Sequence, residues 1–303
     1  MLVARSFDSI ECAQPCLLTI GTFDGVHRGH RYLLEQARER AVEHHYALAI
    51  VTFDPCPAVV LRPSLGRYQI SSAEQKLSLL GVVEPALVAM LDFTPQLSQL
   101  TAGEFMDAIE ARLDLRELWF GEDFRFGRDR GGDLPMLVER GRASGFSLHV
   151  VNRRTADRES ISSSRIRTVL RQGDVDAAIP LLGYPLRREC VSPERARWLD
   201  GATDAETFDI EPHLALPADG VYAVLHSVDG RTDRTIAEVR GDKPRFQLVT
   251  RGTKSHHGKT TVEFIRHLCS ADAYRDSAPA WDSQADAWLT AWQRPAYEPV
   301  GHL

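Results

Sequence analysis

Residues Leu17 to His30, LLTIGTFDGVHRGH, constrain this chain more than any other stretch. Leu17 to Ile20 is a short apolar run of the kind carried by a strand buried on both faces. Gly21, Asp24 and Gly25 follow as turn residues, and Leu33, Leu34, Ala37 and Ala41 then recur at the spacing of one helix face. A strand, a glycine-rich turn and a helix start together make a site for an anion. The unbonded N–H groups of the first helical turn and the helix dipole both favour negative charge there. His27 and His30 stand three residues apart where that helix begins, so both imidazoles share a face and can address one phosphate.

Composition narrows the functions open to such a site. At 303 residues the chain is expected to form two domains. A net charge of −6 argues against a general nucleic-acid-binding surface, which needs a basic excess. No run approaches the roughly 18 apolar residues of a membrane span, and MLVARSFDSI lacks the basic and apolar regions of a signal peptide. Cys12, Cys16, Cys56, Cys190 and Cys269 are odd in number and contain no CxxC pair, which points to reduced thiols and a cytoplasmic location. Small-molecule substrates are the expected partners, with no nucleic acid and no membrane; oligomeric state is left open.

Along the chain, Ala47–Phe53, Ala86–Leu91, Glu117–Phe120 and Phe146–Val151 read as further strands. Helical patterns at Ala73–Leu80, Ala102–Leu113 and Leu134–Gly141 separate them. Strands alternating with helices predict an α/β fold, a Rossmann-like domain with a mostly parallel sheet. Ligands in such folds bind beyond the carboxyl ends of the strands. The glycine turn, the Asp54-Pro55-Cys56-Pro57 turn and the loop GEDFRFGRDRGGD (Gly121 to Asp133) all follow strands, so they should open on one cleft. Ser160 to Leu170, SISSSRIRTVL, then sets Ser162, Ser163 and Ser164 ahead of Arg165 and Arg167 at another helix start, a pattern suited to polyphosphate. A short helix from Gly173 to Leu182 and Gly183-Tyr184-Pro185 close the domain.

The remainder reads as a smaller β-rich C-terminal domain with terminal helices. Gly220–Val228, Thr235–Arg240 and Arg245–Thr250 are expected strands, and Thr260–Cys269 is expected to be helical. Trp281, Trp288 and Trp292 suit either a buried helix stripe or an association surface. Gly252 to Thr260 imitates a phosphate-binding loop but has five residues between its glycines where that motif needs four, so it reads as a basic surface loop.

These motifs, in this order, resemble the FAD synthetase module of the bacterial bifunctional riboflavin kinase/FMN adenylyltransferases. GTFDGVHRGH, TFDPCP, GEDFRFG, ISSSRIR and GDVDAAIPLLGYP match the family's motifs over roughly residues 15 to 185. The resemblance therefore implies a nucleotidyltransferase domain over 1–185 and a degenerate riboflavin kinase-like β domain over 186–303. Beyond 185 it fades: RRECVSPERARWLDGATDAETF replaces the segment where the family carries a PTAN motif, and only LPADGVYAV remains similar. By that comparison riboflavin kinase activity is absent.

The implied reaction transfers AMP from ATP to FMN, giving FAD and pyrophosphate, with Mg²⁺ accompanying ATP and no metal held by the protein alone. The resemblance casts His27, His30 and Arg165 as catalytic. It casts Gly21, Thr22, Phe23, Asp24, Gly25, Gly29, Ser162, Ser163 and Ser164 as ATP-binding, and Phe53, Asp54, Pro55, Asp123 and Phe126 as the flavin or acceptor side. Two roles stay open: Asp24 either orders the turn or touches ligand, and Phe124 and Phe126 either anchor their loop or meet the flavin. Cys56 stands where the family has histidine, so a related nucleotidyltransferase using another phosphorylated acceptor or nucleotide is a second reading. A non-catalytic flavin- or nucleotide-binding regulator is a third.

Overall fold

Six parallel strands form the first sheet: β1 (Leu2–Ala4), β2 (Cys16–Ile20), β3 (Ala47–Asp54), β4 (Leu87–Asp92), β5 (Leu115–Gly121) and β6 (Ser147–Val151). The structure is a computed structural model, and it describes residues 1–152, 155–156, 159–191, 205–241, 243, 245–249 and 259–293. The strand order is β1-β4-β3-β2-β5-β6, with every pairing parallel. The chain therefore steps from β2 through β3 to β4 in one direction, then crosses back to place β5 on the other side of β2. The order reverses between β2 and β5, the position at which open α/β sheets bind ligands.

Alternation explains the apolar runs. Leu18, Ile20, Ala49, Val51, Ala89, Leu91 and Leu118 pack on one face, under α5 (Ala102–Glu110) and α6 (Leu134–Ser144). Leu17, Leu48, Ile50, Val88 and Met90 pack on the other, under α1 (Arg28–Glu43) and α3 (Ala73–Gly81). Both faces are covered, so the strands are apolar throughout rather than alternating. The helices begin on side-chain caps: Ser72 for α3, Thr101 with Glu104 as a reciprocal capping box for α5, and Asp133 for α6. Short helices α2 (Pro57–Leu61) and α4 (Pro95–Ser98) follow β3 and β4. The two-residue strands β7 (Thr155–Ala156) and β8 (Glu159–Ser160) pair antiparallel.

Spatial contacts divide the chain into two units, one of residues 1–65 and 71–161, the other of 66–70 together with the described residues from Ser162 on. The second unit starts with α7 (Ser163–Arg171) and α8 (Val175–Leu182). Its sheet is antiparallel, in the order β10-β13-β12-β11-β14-β9. Those strands are β9 (Leu186–Val191), β10 (Ala205–Asp209), β11 (Gly220–Val228), β12 (Arg231–Val239), β13 (Arg245–Val249) and β14 (Lys259–Cys269). One face, carrying Val221, Ala223, Ile236 and Ile265, packs against Tyr274, Ala285 and Leu289 of α9 (Ala271–Ala291). The other carries Phe208, Tyr222, Phe246 and Phe264 in mutual ring contact. Gln69 bridges to Leu214 within this unit, and the fully buried Arg188 donates to the carbonyls of Ile70 and Ala215.

The helix expected over Thr260–Cys269 is instead strand β14, paired with β11 on one side and β9 on the other. Its β-branched Thr260, Thr261, Val262 and Ile265 suit a central strand, and two-sided pairing buries Val262 and Phe264 completely. The helix lies just after it, as α9. Trp281, Trp288 and Trp292 are half-buried: Trp281 and Trp292 pack on that helix's apolar cluster, and the Arg266 guanidinium covers the Trp288 ring. Of the stretch expected as a loop, Gly252–Thr260, residues 252–258 lie outside the described residues and Lys259 and Thr260 open β14; residues 192–204 also lie outside them.

Candidate active site

The site residues of the first unit gather where β2 ends. Gly21 N–H still bonds to Val51 O (3.0 Å), and Thr52 Oγ1 donates to Thr22 O (2.9 Å), so β3 carries the turn. The chain then reverses tightly: Phe23, Gly25 and Val26 have φ of 46°, 77° and 33°. Left-handed backbone suits Gly25 but strains phenylalanine and valine, a strain that concentrates at functional sites. Burial of both side chains holds the turn, since Phe23 and Val26 lie in the core under α1. Gly21 lies close to the Phe23 ring: a Cβ there would sit 3.0 Å from it, so the ring would have to give by a few tenths of an ångström.

Asp24 is 1% exposed, and its Oδ1 accepts the Ser71 N–H at 3.2 Å. Ser71 Oγ in return accepts the Gly25 N–H at 3.0 Å. These two bonds tie the turn after β2 to Ser71.

His27, 5% exposed, is the N-cap of α1, and its Nδ1 accepts the His30 N–H at 3.3 Å. An Nδ1 that accepts carries no proton, so the neutral ring has its proton on Nε2, where it can donate to a ligand. The His30 ring stacks on that of His27, with centroids 3.6 Å apart and planes 16° from parallel, and meets Phe23 edge-on at 5.2 Å. The two imidazoles therefore form one rigid pair at the N-terminus of a 16-residue helix. Gly29 lies against this pair: its own Cβ would sit 3.2 Å from two atoms of the His27 ring.

The expected acceptor-side residues follow β3 and β5. Asp54, the last residue of β3, and Pro55 just after it are half-buried, and Asp123 is exposed in the loop after β5. Phe53 lies 5.6 Å from Phe93 and 6.2 Å from Phe105, and Phe126 lies 5.7 Å from Phe105 and 5.2 Å from Phe124, ring to ring. A row of aromatic rings thus runs along the carboxyl ends of the strands. Phe126 itself is 8% exposed and its backbone bonds reciprocally with Gly132, the geometry of a loop anchor. Cys56 is buried at the N-cap of α2.

In the second unit, Ser162 caps α7, accepting the Arg165 N–H at 3.2 Å, with Ser163 and Ser164 in the first turn and Arg165 half-buried. Arg167 is structural: it stacks on the Tyr68 ring at 3.8 Å and donates to Tyr68 O at 2.9 Å. Among the described residues no three His, Cys, Asp or Glu side chains are placed to hold a metal ion. Among them too, no helix is long and apolar enough to cross a membrane.

Sequence reasoning missed Ser71 and Lys76. Lys76 is fully buried on α3, and its Nζ donates to Phe53 O at 2.6 Å. One signal was present: Lys76 is one of four lysines in the chain, and it stands four residues before the buried Leu80, on that helix's core face.

The sequence signature of the FAD synthetase family matches residues 9–165. Fold and signature define a nucleotidyltransferase enzyme. The bifunctional riboflavin kinase/FMN adenylyltransferase of Pseudomonas fluorescens is 34% identical over 257 residues, covering 84% of this chain and 80% of the relative. Its counterpart in Listeria monocytogenes is 29% identical over 231 residues, covering 74% and 71%. A solved structure described as a macrolide-efflux protein from Streptococcus pneumoniae superposes with a TM-score of 0.80 at 22% identity, covering 95% of this chain and 98% of that one, a likeness of fold. The chain belongs to the FAD synthetase family.

Proposed function

We propose that the chain transfers the AMP moiety of Mg-ATP to FMN, forming FAD and pyrophosphate, and that it does not phosphorylate riboflavin. The stacked His27–His30 pair at the start of α1 carries this reading. The FMN phosphate oxygen attacks the α-phosphorus, a P–O bond forms, and the bond to the β-phosphate oxygen breaks. The attacking oxygen is already anionic, so no protein nucleophile is needed; catalysis is positioning and charge stabilisation. Charge grows on the α-phosphoryl oxygens, and donors fixed in advance at a helix N-terminus stabilise it most. The Nε2–H of His27, the ring of His30 and the first-turn N–H groups of α1 supply such donors. Gly21, Thr22, Phe23, Gly25 and Gly29 let the backbone approach the phosphates, with Asp24 holding the turn. Ser162, Ser163, Ser164 and Arg165 are proposed as ligands of the β- and γ-phosphates. Mg²⁺ enters with ATP as part of the substrate, held by phosphate oxygens and water.

Phe53, Asp54, Pro55, Asp123 and Phe126 are proposed for the flavin side, where the aromatic row suits a planar ring system. By kinship of sequence, the nucleotidyltransferase domain is taken as 1–185 and the degenerate kinase-like domain as 186–303. Absence of PTAN from the sequence supports the loss of kinase activity. A second reading, the same chemistry on another phosphorylated acceptor, is favoured by Cys56 in place of the family's histidine. Incubating the purified chain with Mg-ATP and FMN should yield FAD and pyrophosphate in equal amounts. Riboflavin with Mg-ATP should yield no FMN. Bound ATP without FAD formation would refute FMN as acceptor, and FMN from riboflavin would refute the kinase statement.

A further inference from the structure

A lysine that the proposed chemistry does not use lies inside the first unit. Lys76 is 0% exposed, and its Nζ donates to the carbonyl of Phe53, the last residue but one of β3. Asp24, Asp54 and Cys56 are the acidic side chains whose charges act on it. Burial pushes the ammonium's pKa down, and the two carboxylates oppose that shift. A leucine or methionine would fill the same space without the cost of burying a charge. An ammonium kept in such a place is explained by what it holds.

It holds two turns. Asp24 belongs to the turn after β2 and fixes Ser71 through Oδ1, while Ser71 Oγ fixes Gly25, two residues before His27. Phe53 and Asp54 are the last two residues of β3 and lead into the turn on the proposed acceptor side. Asp24 is itself buried, so losing a nearby cation would let its side chain turn away and release Ser71. We propose that Lys76 is a positioning residue for adenylyl transfer, its ammonium tying the phosphate turn to the acceptor turn so that His27 keeps a fixed place relative to the incoming phosphate. This rests on the reading of His27 as a transition-state donor.

The test starts from the wild-type full chain, whose FAD formation from Mg-ATP and FMN checks that underlying reading by itself. Lys76→Met should lower kcat about ten- to a hundredfold, the scale of a small misplacement at the reacting centre, with the KM for ATP within about threefold. In Lys76→Ala, ethylammonium should restore activity and 1-propanol of similar size should not. Removing both charges in Asp24→Asn/Lys76→Met spares the fold an unpaired buried carboxylate, and its loss of kcat should be close to the larger of the two single losses. With an active wild type, an unchanged kcat in Lys76→Met, equal rescue by the alcohol, or a double-variant loss equal to the product of the single losses would each overturn the proposal.

Discussion

Gly29→Ala separates the placement of His27 from the stability of the helix that carries it. Gly29 is the second residue of α1, and alanine there should favour the helix by about 0.5–1 kcal/mol. The added Cβ would lie 3.2 Å from Cε1 and Nδ1 of His27 and 3.3 Å from the Ile161 carbonyl oxygen. These approaches are tighter than ordinary contact, so the imidazole must give way by a few tenths of an ångström. Nδ1, one of the two crowded atoms, also accepts the His30 N–H at an N-to-N distance of 3.3 Å, so a shift of the ring disturbs the bond that fixes its tautomer. A displacement of about 1 Å near reacting atoms costs about a hundredfold in rate, so roughly a third of that should cost about fivefold in kcat, or ~1 kcal/mol. The helix gain and the contact strain offset each other, which leaves the melting temperature within about 3 °C of wild type. Initial rates of FAD formation at saturating Mg-ATP and FMN, with a thermal melt of the same samples, decide the matter. A kcat within twofold of wild type would refute the reasoning, because the ring would then have moved without consequence. A fall in melting temperature beyond about 5 °C accompanying the loss would refute it too, because the fold and not the imidazole would be failing.

His27→Asn keeps a side chain that caps helices well but removes the imidazole donor; kcat should fall by about 10²–10³ with the melting temperature within about 3 °C, as read by the same two assays. Gly132→Ala would drive a Cβ into the Phe126 ring and to 2.8 Å from the Ala102 Cβ, and overpacking of this kind should cost about 1–3 kcal/mol, measured by denaturant unfolding. Of the five free thiols, Cys12 is half-buried and the others are buried, with burial pushing Cys190 up to about 12 and Cys269 up to about 11. A disulfide reagent at pH 8 should therefore titrate one thiol per folded chain rapidly and five after unfolding; two or more fast thiols would contradict the packing.

The parts of this protein legible in its sequence are those whose signal is local. Leu17 to His30 announces itself because strand, turn and helix each follow from neighbours within a few residues, and the His27–His30 spacing acts inside one helical turn. The role of Asp24 was not legible to that depth. It depends on Ser71, 47 residues away in sequence, and on α3 folding back beneath the turn. Lys76 was hidden for the same reason, since nothing nearby distinguishes a buried ammonium from a solvated one. In β14 the local signal misled: Val262, Ile265 and Cys269 fall three and four apart, as on a helix face, but pairing on both edges decides the outcome. The three-residue β1 is too short for periodicity to register at all.

The strand order also sets a timetable for synthesis. β2 borders β3 on one side and β5 on the other, and Cys16 pairs with Leu115, about 100 residues later in the chain. At about 5–20 residues per second, a ribosome needs roughly 5–20 s to deliver that neighbour after β2 has been made. Throughout that interval β2 has an open edge, and the turn bearing the histidines lacks one wall of its crevice. A nascent chain therefore exposes a strand of continuous apolar residues before it can bind any nucleotide, which makes the β2 edge the place where a chaperone, or a second unfinished copy, would find its first hold.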